Sequence, residues 1–245
     1  MGKDDLMQFL PYLLQDLWEL GSNPEDIIEL IKKHTVITGN TRILDLACGK
    51  GAVSTSIAQY LNVKITGIDL VPEFIDYAKQ KANELCVDAF CHFETGDINN
   101  AILTERNYDF VILGSAGSVL GTPKETLDKL RLTVKPNGYI VFYDVYLLDS
   151  AEKENLKYKD NEYLTYRQWL DVFTQSGMKP LDSLINKNAS KNESNNKAIM
   201  KRVNELIDVY PEKKSAFESF MSAQLDGSYD LENGVIGVTW LLKAE

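Results

Sequence analysis

Ile43-Leu44-Asp45-Leu46-Ala47-Cys48-Gly49-Lys50-Gly51 decides the fold of this 245-residue chain: an apolar strand, an acid near its carboxyl end, and a glycine-rich turn that opens a helix. Open parallel sheets bind ligands at such strand ends. Glycine lets the backbone come close to a ligand without a Cβ in the way, and the exposed N–H groups of a helix start favour polar or anionic groups. Gly49 and Gly51 supply that freedom here. The same turn can be merely conformational, so the acids around it have to decide between a ligand site and a plain corner.

Outward from this stretch, apolar β-rich runs alternate with helical patterns. Strands are expected near 42–47, 63–69, 89–96, 108–114 and 139–147, with helices near 51–61, 72–85 and 122–134 between them. That alternation is the mark of βαβ units in a largely parallel sheet. Thr122, Pro123 and Glu125 combine an N-cap, a first-turn proline and a capping-box acid, and Thr165 with Gln168 repeats the box before Trp169, Leu170 and Phe173, with Gly177 to end that helix. Strands near 179–186 and 235–243 complete seven.

Two helical regions flank this core. Residues 1–40 read as an arm of two helices, the first with Leu6, Phe9, Leu10, Leu13, Leu14 and Leu17 on one apolar face, the second capped by Asn23 with Pro24 at its first position. The connection 187–233 opens on a polar stretch and continues with Ile199, Met200, Val203, Leu206, Ile207 and Tyr210, then Phe217, Phe220 and Met221, at helical spacing. Long connections with their own structure serve as lids or as packed insertions, and both readings stay open. The organisation is one domain over 1–245: the arm at 1–40, a core over 42–186 and 235–243, and the helical insertion at 187–233 as a candidate lid.

The 36 acidic and 26 basic side chains leave a net charge of -10, a field that repels nucleic acids and anionic membrane surfaces. Met1 to Leu20 fits neither a secretory leader nor a membrane span, so a soluble cytoplasmic protein without nucleic-acid or membrane partners is expected. Cys48, Cys86 and Cys91 form no paired motif, and His34 and His92 stand apart, so no metal site is expected and the thiols are read as reduced groups in or near the core.

The second strand ends in Thr66-Gly67-Ile68-Asp69, which places Asp69 18 residues beyond Gly51, where a carboxylate can accept hydrogen bonds from both hydroxyls of a ribose. After the third strand, Gly96-Asp97-Ile98 offers an acid for an exocyclic amine and an apolar neighbour for a ring face; Asp97 is also a ready helix N-cap. Together with Asp45 to Gly51, Tyr108-Asp109-Phe110-Val111 and Lys135-Pro136-Asn137-Gly138, these motifs resemble the class I S-adenosylmethionine-dependent methyltransferases, strongly over 42–147.

The resemblance implies a Rossmann-like α/β sheet of seven mostly parallel strands in the order 3-2-1-4-5-7-6, with the last inserted antiparallel and helices on both faces. It implies S-adenosylmethionine as cofactor, held by Asp45, Leu46, Ala47, Gly49 and Gly51 at the methionine part, Asp69 and Leu70 at the ribose, Asp97 and Ile98 at the adenine, and Gly114 and Ser115 toward the methyl group. Ala47 stands where that family often has its first glycine, and Gly114-Ser115-Ala116-Gly117 lacks the Asn/Asp-Pro-Pro-aromatic signature of enzymes that methylate exocyclic amines of DNA bases or amide nitrogens, which weakens a nucleic-acid or glutamine acceptor.

The acceptor is then a small molecule with an oxygen, nitrogen or carbon to methylate. Transfer from a sulfonium is an in-line displacement whose leaving group is already activated, so alignment and water exclusion carry most of the catalysis. Where a base is needed, Asp144 and Tyr146 at the end of the fifth strand are the candidates, with Tyr143, Tyr163 and Tyr166 beside them; packing or capping roles compete for each. Trp18 and the leucine-rich first helix are candidates for a lid over the methionine end. Two other readings remain: a nicotinamide-dependent oxidoreductase, against which Ser54 replaces the third glycine of G-x-G-x-x-G, and a cofactor-binding module without turnover.

Overall fold

The computed structural model describes residues 4–158, 163–186 and 189–245. Its strands are β1 (Arg42–Leu46), β2 (Lys64–Asp69), β3 (Cys91–Thr95), β4 (Tyr108–Gly114), β5 (Val134–Leu147), β6 (Met178–Ile185) and β7 (Val235–Ala244). They form one sheet in the order β3-β2-β1-β4-β5-β7-β6. β3, β2, β1, β4 and β5 pair in parallel, and β6 pairs with β7 antiparallel. The helices are α1 (Asp4–Met7), α2 (Leu10–Leu13), α3 (Pro24–His34), α4 (Ala52–Leu61), α5 (Pro72–Glu84), α6 (Ile98–Thr104), α7 (Pro123–Arg131), α8 (Tyr166–Gln175), α9 (Ala189–Val209) and α10 (Lys214–Asn233). The class I methyltransferase sheet order expected from the motifs is therefore present.

The local chemistry explains several boundaries. Asn23 accepts the Glu25 amide at 2.9 Å and starts α3, whose last turn carries Lys32, Lys33 and His34 against the helix dipole. Thr122 and Glu125 form both bonds of a capping box at the start of α7.

Other details differ from the sequence expectation. The single leucine-rich first helix is two one-turn pieces, because Pro11 has no N–H to give the preceding turn and sits at the start of α2 instead. β5 begins at Val134, before the Lys135 to Gly138 turn, with a register shift against β4 and Asn137 in the left-handed region. α6 is a helix that the sequence pattern did not single out, and Asp97 caps it by accepting the Asn99 amide at 2.8 Å. Of the three cysteines, all free, Cys86 is exposed rather than near the core. The expected start of the insertion, residues 187 and 188, lies outside the described residues.

The chain divides into two compact units. The larger comprises Glu19–Asp144, Arg167–Asn186 and Val238–Glu245. Its core includes Ile27, Leu30 and Ile31 of α3 together with Ile43, Ile57, Ile65, Phe93, Phe110 and Leu241, so the amphipathic stripe of α3 is spent on the sheet. A second set of rings, Phe142, Trp169, Phe173 and Trp240, packs with centroids 5.3–6.0 Å apart.

The smaller unit holds the described residues of Met1–Trp18, Val145–Tyr166 and Lys187–Gly237. There α9 and α10 pack on each other, Phe9 meets the rings of Tyr210 and Phe217 edge-on at 5.2 Å, and Arg202 grips Asp16 through two nitrogens.

Candidate active site

The glycine turn after β1 is held in the larger unit by one backbone bond to the end of β2 and one within the turn. Cys48 N–H donates to Ile68 O at 3.1 Å, and Gly51 N–H closes the turn onto Cys48 O at 3.0 Å. Gly51 is the N-cap of α4 with φ 82, and a Cβ there would stand 2.8 Å from the Ala78 Cβ and 3.0 Å from the Phe93 ring. Only glycine satisfies both the dihedral and the space. Ala47 lies in the same left-handed region at φ 55 although it carries a side chain, so the turn holds strain where a glycine would relax it.

Two buried acids frame this turn. Asp69 ends β2, and its Oδ2 accepts the Gly49 amide at 2.8 Å while Oδ1 accepts the Val71 amide at 2.9 Å. Each carboxylate oxygen has a second lone pair, so the group keeps capacity for two hydroxyl donors. Burial raises the Asp69 carboxyl above its ordinary value against the pull of the Val71, Gly49 and Leu70 amides. Asp45, one strand over, accepts the Ser54 hydroxyl at 2.6 Å. Burial pushes its carboxyl up to about 7, opposed by the Ser54 bond and assisted by the charge of Asp69. Buried acids with raised carboxyls at the carboxyl ends of adjacent parallel strands are a site signature.

The remaining expected residues fall around this pair. Gly96 N–H donates to Asp69 O at 2.8 Å, which ties the start of α6 to the end of β2. Asp97 uses Oδ1 for both of its contacts with Asn99, so its helix-capping role is present whether or not it binds a ligand. Leu70, beside Asp69, is 53% exposed, an apolar side chain left uncovered at the site, whereas the side chains of Leu46 and Ile98 are buried. Gly114 and Ser115 close β4, Ser115 with φ 54.

Of the base candidates, Asp144 is the last residue of its segment of the larger unit and Tyr146 belongs to the smaller one. The Tyr146 ring meets that of Tyr166 edge-on at 5.3 Å, and burial raises its phenol above the ordinary value. In the larger unit, Tyr143 is raised by burial and by the nearby charges of Asp144 and Asp26. Tyr163 donates to Asp230 Oδ2 at 2.9 Å and is a tether within the smaller unit. His34 and His92 pair with Asp182 and Glu94, and among the described residues no group of three His, Cys, Asp or Glu could hold a metal ion.

Sequence reasoning missed four contributors. Ser54 looked like a departure from a dinucleotide fingerprint and is the donor to Asp45. Lys50 is buried within the turn, its ammonium 5.1 Å from the Tyr77 ring centre. Gly67 leaves room in β2 for Phe93 and the Cys48 sulfur, whose thiol burial pushes well above its ordinary value. The Leu20-Gly21-Ser22 segment lies against Gly49, Ser115 and Gly114, a long-range contact that no local pattern announces.

The site fits an adenosyl sulfonium. A close-approach glycine turn, a buried acid for an ammonium and a second with lone pairs for vicinal hydroxyls are what such a molecule requires. A family model described as a methyltransferase domain matches residues 37–209. The chain is 20% identical over 151 residues to a sterol 4-C-methyltransferase of Caenorhabditis elegans, covering 60% of this chain and 45% of that protein. It is 32% identical over 101 residues to a malonyl-[acyl-carrier protein] O-methyltransferase of Acetivibrio thermocellus, covering 41% and 34%. The alignments thus span under half the length of these curated relatives. The crystal structure of an S-adenosylmethionine-dependent methyltransferase from Geobacter sulfurreducens in complex with S-adenosylhomocysteine shares the fold, with a TM-score of 0.79 at 18% identity over 97% of this chain and 98% of that one.

Proposed function

Because this chain belongs to the methyltransferase-domain family and carries the class I S-adenosylmethionine-dependent fold, we propose that it transfers a methyl group from S-adenosylmethionine to an oxygen, nitrogen or carbon of a small molecule. The observation that carries this reading is the pair Asp45 and Asp69, buried at the ends of adjacent strands with Asp69 bonded to the Gly49 amide of the turn between them. The bound cofactor supplies an electrophilic methyl group on a sulfonium that is already a good leaving group.

The residues then have distinct tasks. Asp69 accepts the ribose hydroxyls while its two backbone bonds fix its orientation. Asp45 meets the ammonium of the amino-acid part, and that cation draws the carboxyl from its partly protonated state into the ionised one. Leu70 covers a face of the adenosine, and Asp97 reaches its exocyclic amine with the oxygen that Asn99 leaves aside. Where the acceptor needs a base, Asp144 fills the role better than Tyr146, whose raised phenol stays protonated at neutral pH.

The oxidoreductase reading loses its footing on one bond: Ser54, in the place of the third fingerprint glycine, is committed to Asp45. Among the described residues no helix is long and apolar enough to cross a membrane. A cytoplasmic setting, which the free cysteines support, and an acceptor that is not a nucleic acid, which the net charge of -10 supports, are parts of the same proposal.

Calorimetry with S-adenosylmethionine, S-adenosylhomocysteine and NAD(H) tests it. The two sulfur nucleotides bind, NAD(H) does not, and Asp69→Ala weakens binding by about 100-fold, the effect of leaving two hydroxyl contacts without a charged acceptor. Binding of NAD(H) alone replaces the reading with a dehydrogenase; binding of none reduces it to a statement about fold.

A further inference from the structure

The amino ends of β1, β2 and β3, at the opposite ends of these strands from Asp45 and Asp69, line a cavity of about 370 Å³ within the larger unit. That volume is in the range of small-molecule sites and several times what a phosphate group alone fills. Register explains why polar side chains gather there. Arg42 pairs with Lys64 across β1 and β2, and Thr66 pairs with His92 across β2 and β3. Lys64 and Thr66 are two residues apart on one strand, so all four side chains stand on the same face of the sheet. All four line the cavity, together with Asp88 and Tyr108.

The two strong cations of this group have no acid to themselves. The Arg42 guanidinium lies 4.5 Å from the centre of the buried Tyr108 ring, which holds it by its face and leaves its N–H edge for a further partner. Asp109 accepts the Arg42 main-chain amide at 2.8 Å and takes Lys135 as its ion-pair partner at 2.7 Å. Glu105 takes the Tyr108 hydroxyl, and Glu94 takes His92. Among the described residues neither Arg42 nor Lys64 enters an ion pair, and Asp88 is the one acid among the residues lining the cavity. In a chain with a net charge of -10, neighbouring cations left without acids mark a place that attracts an anion.

We propose that this cavity is a second small-molecule site, which takes a small organic phosphate. Arg42 offers the phosphoryl oxygens a fork of N–H donors and Lys64 offers a point charge, and a phosphate monoester, dianionic at neutral pH, has the charge to engage both at once. Ala89 and Phe90 on the same wall receive the organic remainder. Asp88 opposes the phosphate and weakens it without blocking it. The site is separate from the crevice at the carboxyl ends of the strands and stands whether or not the cofactor reading holds.

The histidines report on it. The chain has two; His92 lines the cavity, whereas His34 ends α3 and pairs with Asp182. Phenyl phosphate, inorganic phosphate and phenol are titrated at fixed pH into the full chain and followed by the imidazole C–H resonances, with His92→Gln assigning the signals. Phenyl phosphate moves the His92 resonance with a Kd of about 1 mM and leaves His34 in place, inorganic phosphate binds about fivefold more weakly, and phenol leaves both in place. Arg42→Gln and Lys64→Gln each weaken phenyl phosphate by about tenfold, and Asp88→Asn strengthens it by about threefold. Lys64 and Asp88 are exposed, so their variants carry the test should Arg42→Gln lower the melting temperature. Saturating S-adenosylhomocysteine leaves the phenyl phosphate affinity within about twofold.

A His92 resonance that phenyl phosphate does not move overturns the site, as does wild-type affinity in Lys64→Gln. Inorganic phosphate binding as tightly as phenyl phosphate reduces the cavity to an adventitious anion position and overturns the assignment to an organic phosphate. Displacement of phenyl phosphate by S-adenosylhomocysteine moves it to the crevice and overturns the second site while leaving the methyltransferase reading intact.

Discussion

Asp45 in the larger unit and Asp230 in the smaller one are both withdrawn from solvent, and their surroundings are opposite. Asp230, on α10, receives the Lys157 amide at 2.7 Å, the Tyr158 amide at 2.9 Å and the Tyr163 hydroxyl at 2.9 Å. Three donors satisfy one carboxylate, and Lys157, Tyr158 and Tyr163 are held to the helix by them. Asp45 has the Ser54 hydroxyl at 2.6 Å and a second acid, Asp69, whose charge opposes its ionisation. Asp230 is saturated with donors and Asp45 is left short of them, as suits a structural acid in the one case and the proposed ligand acid in the other. The backbone follows the same division. Ala47 and Ser115 at the crevice are left-handed, and among the described residues every other left-handed non-glycine residue, Asn62, Cys86, Asn107 and Asn137, also lies in the larger unit.

The largest effect expected from this contrast is on folding. Asp230→Ala takes the carboxylate from the Lys157 and Tyr158 amides and from the Tyr163 hydroxyl and costs about 3–5 kcal/mol, measured by urea unfolding followed in the far ultraviolet. A loss under about 1 kcal/mol breaks the comparison, because Asp230 would then be no better served by its donors than Asp45 is by its one.

Asp45→Asn sharpens the comparison through pH. The Asp45 carboxyl sits near 7 in the folded chain and near its ordinary value of about 4 when unfolded, so folding favours the protonated form. Its stabilising contribution is complete below about pH 4, is lost as pH rises through 7, and is flat above that. The difference in stability between wild type and Asp45→Asn therefore changes by at most about 1.4 kcal/mol per pH unit between pH 4 and 7, to the disadvantage of the wild type. Cofactor binding runs the other way. Affinity of the wild type for S-adenosylhomocysteine rises as pH passes 7, since the ligand's ammonium prefers the ionised acid, and the variant lacks that rise. Parallel unfolding profiles for the two proteins, or parallel binding profiles, would show that Asp45 does not titrate in this range.

How much of this was legible in the sequence follows from range. The sheet and the Asp45 to Gly51 turn were readable because strand alternation, first-turn prolines and caps such as Thr122 act within a few residues. Asp69 was readable because its spacing from the turn is set by one βαβ unit. The break at Pro11 was readable in principle, and the leucine period masked it. Ser54 as donor to Asp45 and the Gly21-Ser22 contact with Gly114-Ser115 depend on which elements become neighbours in space, and no spacing rule carries that. Asp230 lay in a region read only for its apolar period, and no local pattern there marks an acid that is buried.

The smallest effect separates backbone strain from carboxylate chemistry by making one substitution in both regions. Ala47 is left-handed at φ 55, a conformation that costs a residue with a Cβ roughly 1–2 kcal/mol, while glycine adds about 0.5–1 kcal/mol of chain entropy to the unfolded state. Ala47→Gly therefore stabilises the fold by about 0.5 kcal/mol net. Ala198, in the interior of α9, has no such strain, and Ala198→Gly destabilises by about 0.5–1 kcal/mol. Thermal unfolding of the two variants beside wild type reads the signs directly. Opposite signs mean that the strain at the crevice is stored in the turn as well as in its acids. Destabilisation by both means that Ala47 is held by contacts that outweigh its dihedral, and the cost of the site then rests on Asp45 and Asp69 alone.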